Sequence, residues 1–298
     1  MRKIYKKNAN GIQLTKGEKA FDIINYAVLT LLGIVTLYPI INVLAISLSS
    51  YEGYLKNPAM ILPDEINLEA YKSILSNSLI TSAYGNTIFV TVAGTCINLI
   101  LTVLTSYPLA KGKLRGNRII MFGIVFTMMF SGGMIPTFLV VRSLGLLDTH
   151  WALILPCAIS TSNLIIVKNF FEGIPDSLLE SARLDGAGEW RILWSIVLPL
   201  SVPVLATVTL FYAVGNWNRL FDAVMYINSR SNWTLPILLK EIITENSELL
   251  LDPSVAAQVY PKTMQCATII VTILPIMLVY PFLQRYFMKG IMLGAVKG

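Results

Sequence analysis

The sequence predicts an all-α integral membrane protein with about six transmembrane helices, and three observations carry that prediction. Of 298 residues, 55% are hydrophobic and only 13% are charged, so the chain carries more apolar surface than a soluble domain needs. Soluble averages are about 45–50% apolar and about 25% charged, and the excess has to face lipid. The apolar residues gather in runs close to the roughly 20 residues that a spanning helix requires. The lysines and arginines sit at the ends of those runs, concentrated on alternate loops.

In chain order the runs cover 24–48, 84–110, 119–141, 151–171, 198–226 and 264–288. Arg2, Lys3, Lys6, Lys7, Lys16 and Lys19 precede the first, and Ala45-Ile46-Ser47 resembles a signal cleavage site. The run is longer than the apolar core of a signal, about 7–15 residues, so it reads as an uncleaved span.

Orientation follows from charge. Lys111, Lys113, Arg115, Arg118, Arg183, Arg191, Arg285, Lys289 and Lys297 share one side with the basic N-terminal segment. The alternate loops hold Lys56, Lys72, Arg142, Arg230, Lys240 and Lys262, diluted by acids that include Glu52, Asp64, Glu69, Asp148 and Glu241. The positive-inside rule places both termini in the cytoplasm, as an even number of spans requires. The chain reads as one transmembrane domain over 1–298, with a cytoplasmic segment at 1–20, a cytoplasmic loop at 172–197 and an outer loop at 227–263.

Several function classes fall away. The net charge of +6 is dispersed over span ends, which is topology rather than a nucleic-acid stripe. Cys96, Cys157 and Cys266 stand alone in apolar stretches and read as small hydrophobes, leaving the redox compartment open. His150, the single histidine, sits beside Trp151 as an interfacial residue, and Lys168 snorkels from the inner end of the fourth span. No internal repeat is visible, and the Asn232-Trp233-Thr234 sequon reads as chance.

The most informative stretch runs from Gly173 to Pro203. Pro175 suits the first turn of a helix, and Asp176 complements its positive end. Asp185-Gly186 reads as a turn in which glycine supplies a positive φ. The prolines of Leu198-Pro199-Leu200-Ser201-Val202-Pro203 then shape the approach to the fifth span. Small side chains at Ser181, Ala182 and Ala187 admit a partner closely, and Glu180 offers an anion. From these residues alone the loop is either a docking surface or an amphipathic interfacial helix.

These residues resemble the signature loop of inner-membrane permeases of ATP-binding-cassette importers: Glu180, Ala182, Asp185, Gly186 and Ala187, then Leu198, Pro199, Leu200 and Pro203. Ser181 departs from the usual alanine, small for small. The resemblance implies a coupling helix between spans four and five that docks on a separate ATPase dimer, with Glu180 anchored in its cleft and Gly186 at the corner. No Gly-x-x-x-x-Gly-Lys-Ser/Thr loop occurs, so ATP and magnesium belong to that partner, and this chain is expected to hold no cofactor and no catalytic site. Phe170-Phe171-Glu172-Gly173-Ile174-Pro175, Asn216-Trp217-Asn218 and Trp233-Thr234-Leu235-Pro236 resemble the smaller permease of maltose and multiple-sugar importers. Ser131-Gly132-Gly133-Met134-Ile135-Pro136 is similar to Gram-positive members associated with polysaccharide fragments. The resemblance implies a second, different permease, an extracytoplasmic sugar-binding protein and a place in the bacterial plasma membrane.

The fifth span is the expected cavity wall. Asn216, Trp217, Asn218, Arg219 and Asp222 suit sugar hydroxyls and ring faces, and they suit helix-to-helix bonding equally. Arg219 either attracts an acidic sugar such as a uronate or pairs with Asp222. Gly132, Gly133 and Pro136 weaken the third span near mid-membrane, which either shapes a cavity, with Ser131 on the substrate pathway, or allows close packing. Glu241, Glu245 and Glu248 form a solvated face that a binding protein would meet. The competing class, an ion-driven secondary transporter, would place ionisable residues and inverted repeats centrally, and a membrane enzyme would need a nucleophile, base or metal cluster.

Overall fold

The computed structural model of the chain describes residues 16–111, 114–130, 132–244 and 262–278. Every regular element among them is helical. Helices α1 (Lys16–Ser47) and α4 (Ser78–Ala110) have 32 and 33 residues, so each runs about 50 Å, longer than the roughly 30 Å bilayer core. Short helices α2 (Tyr51–Lys56) and α3 (Glu69–Ser76) join them. Apolar side chains of α1 from Phe21 to Leu44 are exposed along nearly the whole helix, a surface suited to lipid or another apolar helix.

The later spans are interrupted, which corrects the expectation of continuous runs. Across 119–141, α5 (Asn117–Met129) and α6 (Met134–Ser143) meet at 112°. Gly133 at the break has φ +89°, a conformation glycine reaches without strain. Within 151–171, α7 (Trp151–Ile154) stops after one turn and α8 (Thr161–Glu172) begins anew. Pro156 lacks the N–H that would continue the ladder, and its ring crowds the carbonyl four residues back.

The fifth run is broken twice. After α9 (Asp176–Leu184) come α10 (Glu189–Ile192), a π-helical turn (Leu193–Val197) and α11 (Leu198–Leu200). The axis of 189–200 then swings by 82° at Ser201 into α12 (Val202–Trp217), which carries Pro203 in its first turn. Asn218 and Arg219 separate α12 from α13 (Leu220–Tyr226). Then follow α14 (Leu235–Thr244) and α15 (Lys262–Leu278), and the rest of the sixth expected span lies outside the described residues. Among the described residues two helices are long and apolar enough to cross a membrane unbroken, or four if each bent pair is one span.

Helix α4 is the axis of the molecule. Near its start Asn86 Nδ2 donates to Ser231 O at 2.8 Å and Trp233 O at 2.9 Å. At its end Lys111 Nζ donates to Phe171 O at 3.5 Å, just before α9. The 227–235 loop and the α9 loop therefore lie at opposite ends of one helix.

Candidate functional site

The α9 loop is built from backbone rules upward. Pro175 caps the helix, and Asp176 in the first turn lies 3.4 Å from Lys111 Nζ. Leu179 is the buried side chain of α9, packed among Phe171, Ile192 and Leu193, while Glu180 and Ser181 face outward. At the far end Gly186 N–H donates to Arg183 O at 3.0 Å and Ala187 N–H to Ala182 O at 2.9 Å. That bond pair is a Schellman cap, which needs a left-handed residue, and Gly186 supplies it with φ +81°. Ala182 and Ala187, half-buried against the same cluster, are small enough to let the corner close.

The outer surface of this loop is unusual for its exposure. Leu184 is 89% exposed, Trp190 66% and Trp194 64%, beside the exposed carboxylates of Glu180 and Asp185. Arg183 Nε donates to Glu189 Oε1 at 2.9 Å, and that bond pushes the guanidinium's pKa upward. A rigid corner carrying apolar and acidic groups can seat in a partner's cleft.

A second set of residues lies inside the helical body. Thr87, Thr95, Asn98, Thr102 and Ser106 form a buried polar line on α4 at helical spacing. They bond to side chains and backbone groups of the later helices, and Asn98 serves backbone carbonyls freed at an interruption. Asn98 Nδ2 donates to Cys157 O at 3.0 Å and Ala158 O at 2.8 Å, just after Pro156. Ser106 Oγ donates to Leu164 O at 3.1 Å. Thr102 Oγ1 and Tyr212 OH lie 2.7 Å apart, and Tyr212 OH accepts from Ser160 N at 3.0 Å. Each unsatisfied group would cost several kcal/mol in hydrocarbon, so the seam is what permits the broken fourth run.

The seam continues into the fifth run. Asn216 Nδ2 donates to Asn98 Oδ1 at 3.0 Å and Thr95 Oγ1 at 3.3 Å, and Asn216 Oδ1 accepts from Arg219 Nη2 at 2.8 Å. Arg219 Nη1 donates to Asp222 Oδ2 at 2.8 Å, and Cys157 Sγ lies 3.7 Å from that oxygen. Arg219 Nε is buried with no hydrogen-bond partner.

Against the sequence expectations, the structure brings Asn216, Arg219 and Asp222 together and places the others elsewhere. Trp217 is corrected from a sugar-stacking surface to a core side chain, packed on Ile80, Leu235, Leu238 and Met264. Asn218 is exposed and its amide donates to Val214 O at the end of α12. Gly132 and Gly133 lie exposed at the α5–α6 bend, and Ser131 falls outside the described residues, as do Glu245 and Glu248. Cys157 is more than a small hydrophobe, because its thiol meets Asp222. Lys168 bonds Glu172 at 2.5 Å. The polar period on α4 escaped the sequence reading, although its spacing of three and four was visible there.

Sequence reasoning also missed Asp148. It holds φ +59°, its N–H donates to Tyr226 O at 2.8 Å, and its carboxylate accepts from Asn228 N at 3.0 Å, Ser229 N at 2.8 Å and Ser229 Oγ. Asn232 Nδ2 donates to its carbonyl at 2.7 Å. One aspartate thus ties two loops together at the end of the molecule opposite α9.

Interrupted apolar helices, an internal polar seam and a Schellman-capped helix with an exposed outer face, among the described residues, fit a membrane transport subunit. The chain belongs to the family of binding-protein-dependent transport system inner membrane components, whose sequence profile matches residues 16–292. It is 44% identical to the polygalacturonan/rhamnogalacturonan transport system permease protein YtcP of Bacillus subtilis, over 94% of this chain and 99% of that protein. It is 43% identical to protein LplC of the same organism, over 95% and 97% of the two chains. A chain in the crystal structure of a bacterial ABC transporter involved in the import of the acidic polysaccharide alginate superposes with a TM-score of 0.87 at 36% identity, covering 93% of this chain and 99% of that one.

Proposed function

We propose that this chain is the smaller permease subunit of an ATP-driven sugar importer in the bacterial plasma membrane, forming half of the pathway for an acidic oligosaccharide. Six spans with both termini cytoplasmic put the α9 loop inside the cell, where an ATPase dimer supplies ATP and magnesium. The opposite loops, which include 227–263, meet an extracytoplasmic sugar-binding protein. A second, different permease completes the pathway.

The observation that carries the coupling role is the Schellman-capped helix Asp176–Leu184, closed at Gly186 and flanked by exposed Glu180, Leu184 and Trp190. Two features support an acidic cargo: the names of the similar proteins, which concern galacturonan and alginate, and a half-buried Arg219 with one N–H unpartnered. Co-purification with the ATPase tests the first part. Replacing Glu180 by Ala is expected to abolish ATP-driven uptake, and normal uptake by the variant would refute the assignment. For the cargo, Arg219→Gln is expected to lower uptake of acidic oligosaccharides more than neutral ones; an equal effect on both would remove the acidic reading.

A further inference from the structure

The α9 loop is fastened to α4 at both ends, and the two fastenings use residues one turn apart. Before α9, Lys111 reaches Phe171 O and Asp176 Oδ1 at 3.5 and 3.4 Å. Beyond it, Glu189 is gripped on both oxygens: Tyr107 OH donates to Oε2 at 2.5 Å and Arg183 Nε to Oε1 at 2.9 Å. Tyr107 belongs to α4, Arg183 to α9 and Glu189 to α10, so one carboxylate joins three elements.

Packing makes part of this connection, since Tyr107 and Ala110 of α4 share a buried cluster with Leu179, Ile192 and Leu193. A pocket of ≈ 370 Å³ lies beside that cluster, lined by Leu104 and Pro108 of α4 and by Trp190, and the Tyr107–Glu189–Arg183 bridge forms part of its wall. The covalent route from α9 to α12 passes a π-helical turn and the 82° bend at Ser201, a compliant path. The polar bridge is the more direct route, two hydrogen bonds from α9 to α4. Tyr107 is 8% exposed and stands edge-on to Phe171 at 6.5 Å, which fixes the donor end of the bond, while Glu189 lies toward solvent.

Helix α4 also reaches the polar cluster. The residues that hold the broken fourth run and the Asn216–Arg219–Asp222 cluster, from Ser106 to Thr95, lie on the same helix. We infer that Glu189 is a coupling joint: through Tyr107 it makes α4 move with the docking helix, a second transmission path to the polar cluster that works in parallel with the chain itself. The inference rests on the proposed reading of this chain as the coupled permease of an ATP-driven importer.

The test uses the complete importer, with ATPase, partner permease and binding protein, reconstituted in proteoliposomes. ATP hydrolysed per sugar imported is measured for the wild type, Glu189→Gln, Tyr107→Phe and the double variant. Tyr107→Phe removes one oxygen and is the variant least disturbing to folding. Each single variant is expected to keep its ATPase on co-purification and to raise the ratio at least several-fold, with the double variant no worse than the worse single one. A wild-type ratio in both single variants overturns the joint, whether or not rates fall with the amount of folded complex. A double variant whose ratio multiplies the two single effects also overturns it, since the residues would then act independently. A wild-type complex that imports sugar without ATP would instead refute the parent reading.

Discussion

Asn216 lies directly across Gly94: a Cβ on Gly94 would stand 2.9 Å from Asn216 Nδ2. That amide cannot easily swing away, because Asn98 and Thr95 accept its protons and Arg219 holds its oxygen. Gly94→Ala is therefore expected to destabilise the chain by about 1–3 kcal/mol, read by thermal unfolding in detergent. Gly85, on the same helix with nothing within 4 Å, is the control, and its alanine variant should be neutral or slightly stabilising.

Asn98 serves the carbonyls of Cys157 and Ala158 and the amide of Asn216 at once. Asn98→Leu strands all three and should cost at least about 2 kcal/mol. Combined with Asn216→Leu, the added loss should be well below the sum of the two single effects, as a double-mutant cycle would measure.

Leu179 and Glu180 are sequence neighbours with opposite expectations. Leu179 is fully buried, so Leu179→Ala should destabilise by about 2–5 kcal/mol. Glu180 faces outward, so Glu180→Ala should leave unfolding within about 0.5 kcal/mol of wild type while losing the ATPase on co-purification. A large stability loss for Glu180→Ala would mean that it serves the fold rather than docking.

Asp148 predicts a pH dependence. The bond from the Ser229 hydroxyl, with those from the Ser229 and Asn228 N–H groups, holds its carboxyl below the usual carboxylate range. Its folded value is depressed, so the stabilisation is complete above the unfolded value of about 3.9 and fades as pH falls through the folded one. The protection of the Asn228 and Ser229 amides, taken relative to the intrinsic exchange rate at each pH, should hold at neutral pH and be lost only below about pH 4. In Asp148→Ala the protection should be absent at every pH.

Asp222 pairs with Arg219, the group proposed to attract an acidic cargo. Asp222→Asn frees the guanidinium, and apparent KM for acidic oligosaccharides is expected to fall while that for neutral ones stays unchanged. Transport assays with matched chains decide it, and equal shifts for both would leave Arg219 as a helix-bonding residue.

The helical class, the six apolar runs and the corner at Gly186 were all legible in the sequence, because each depends on local chemistry. Membrane burial selects residue type over about 20 positions, and a Schellman cap needs a glycine next to a helix end. Gly132-Gly133 read as a weak point in the third run, but the break at Pro156 was missed because hydropathy does not register a missing N–H. What only the tertiary structure decided is which polar groups meet. Asn98 satisfies carbonyls about 60 residues away, Tyr107 finds Glu189 across 82, and Trp217 turns into the core beside a buried Asn216. Those pairings follow from how broken helices pack in a medium without water, where every freed backbone group must find a partner that sequence distance does not announce.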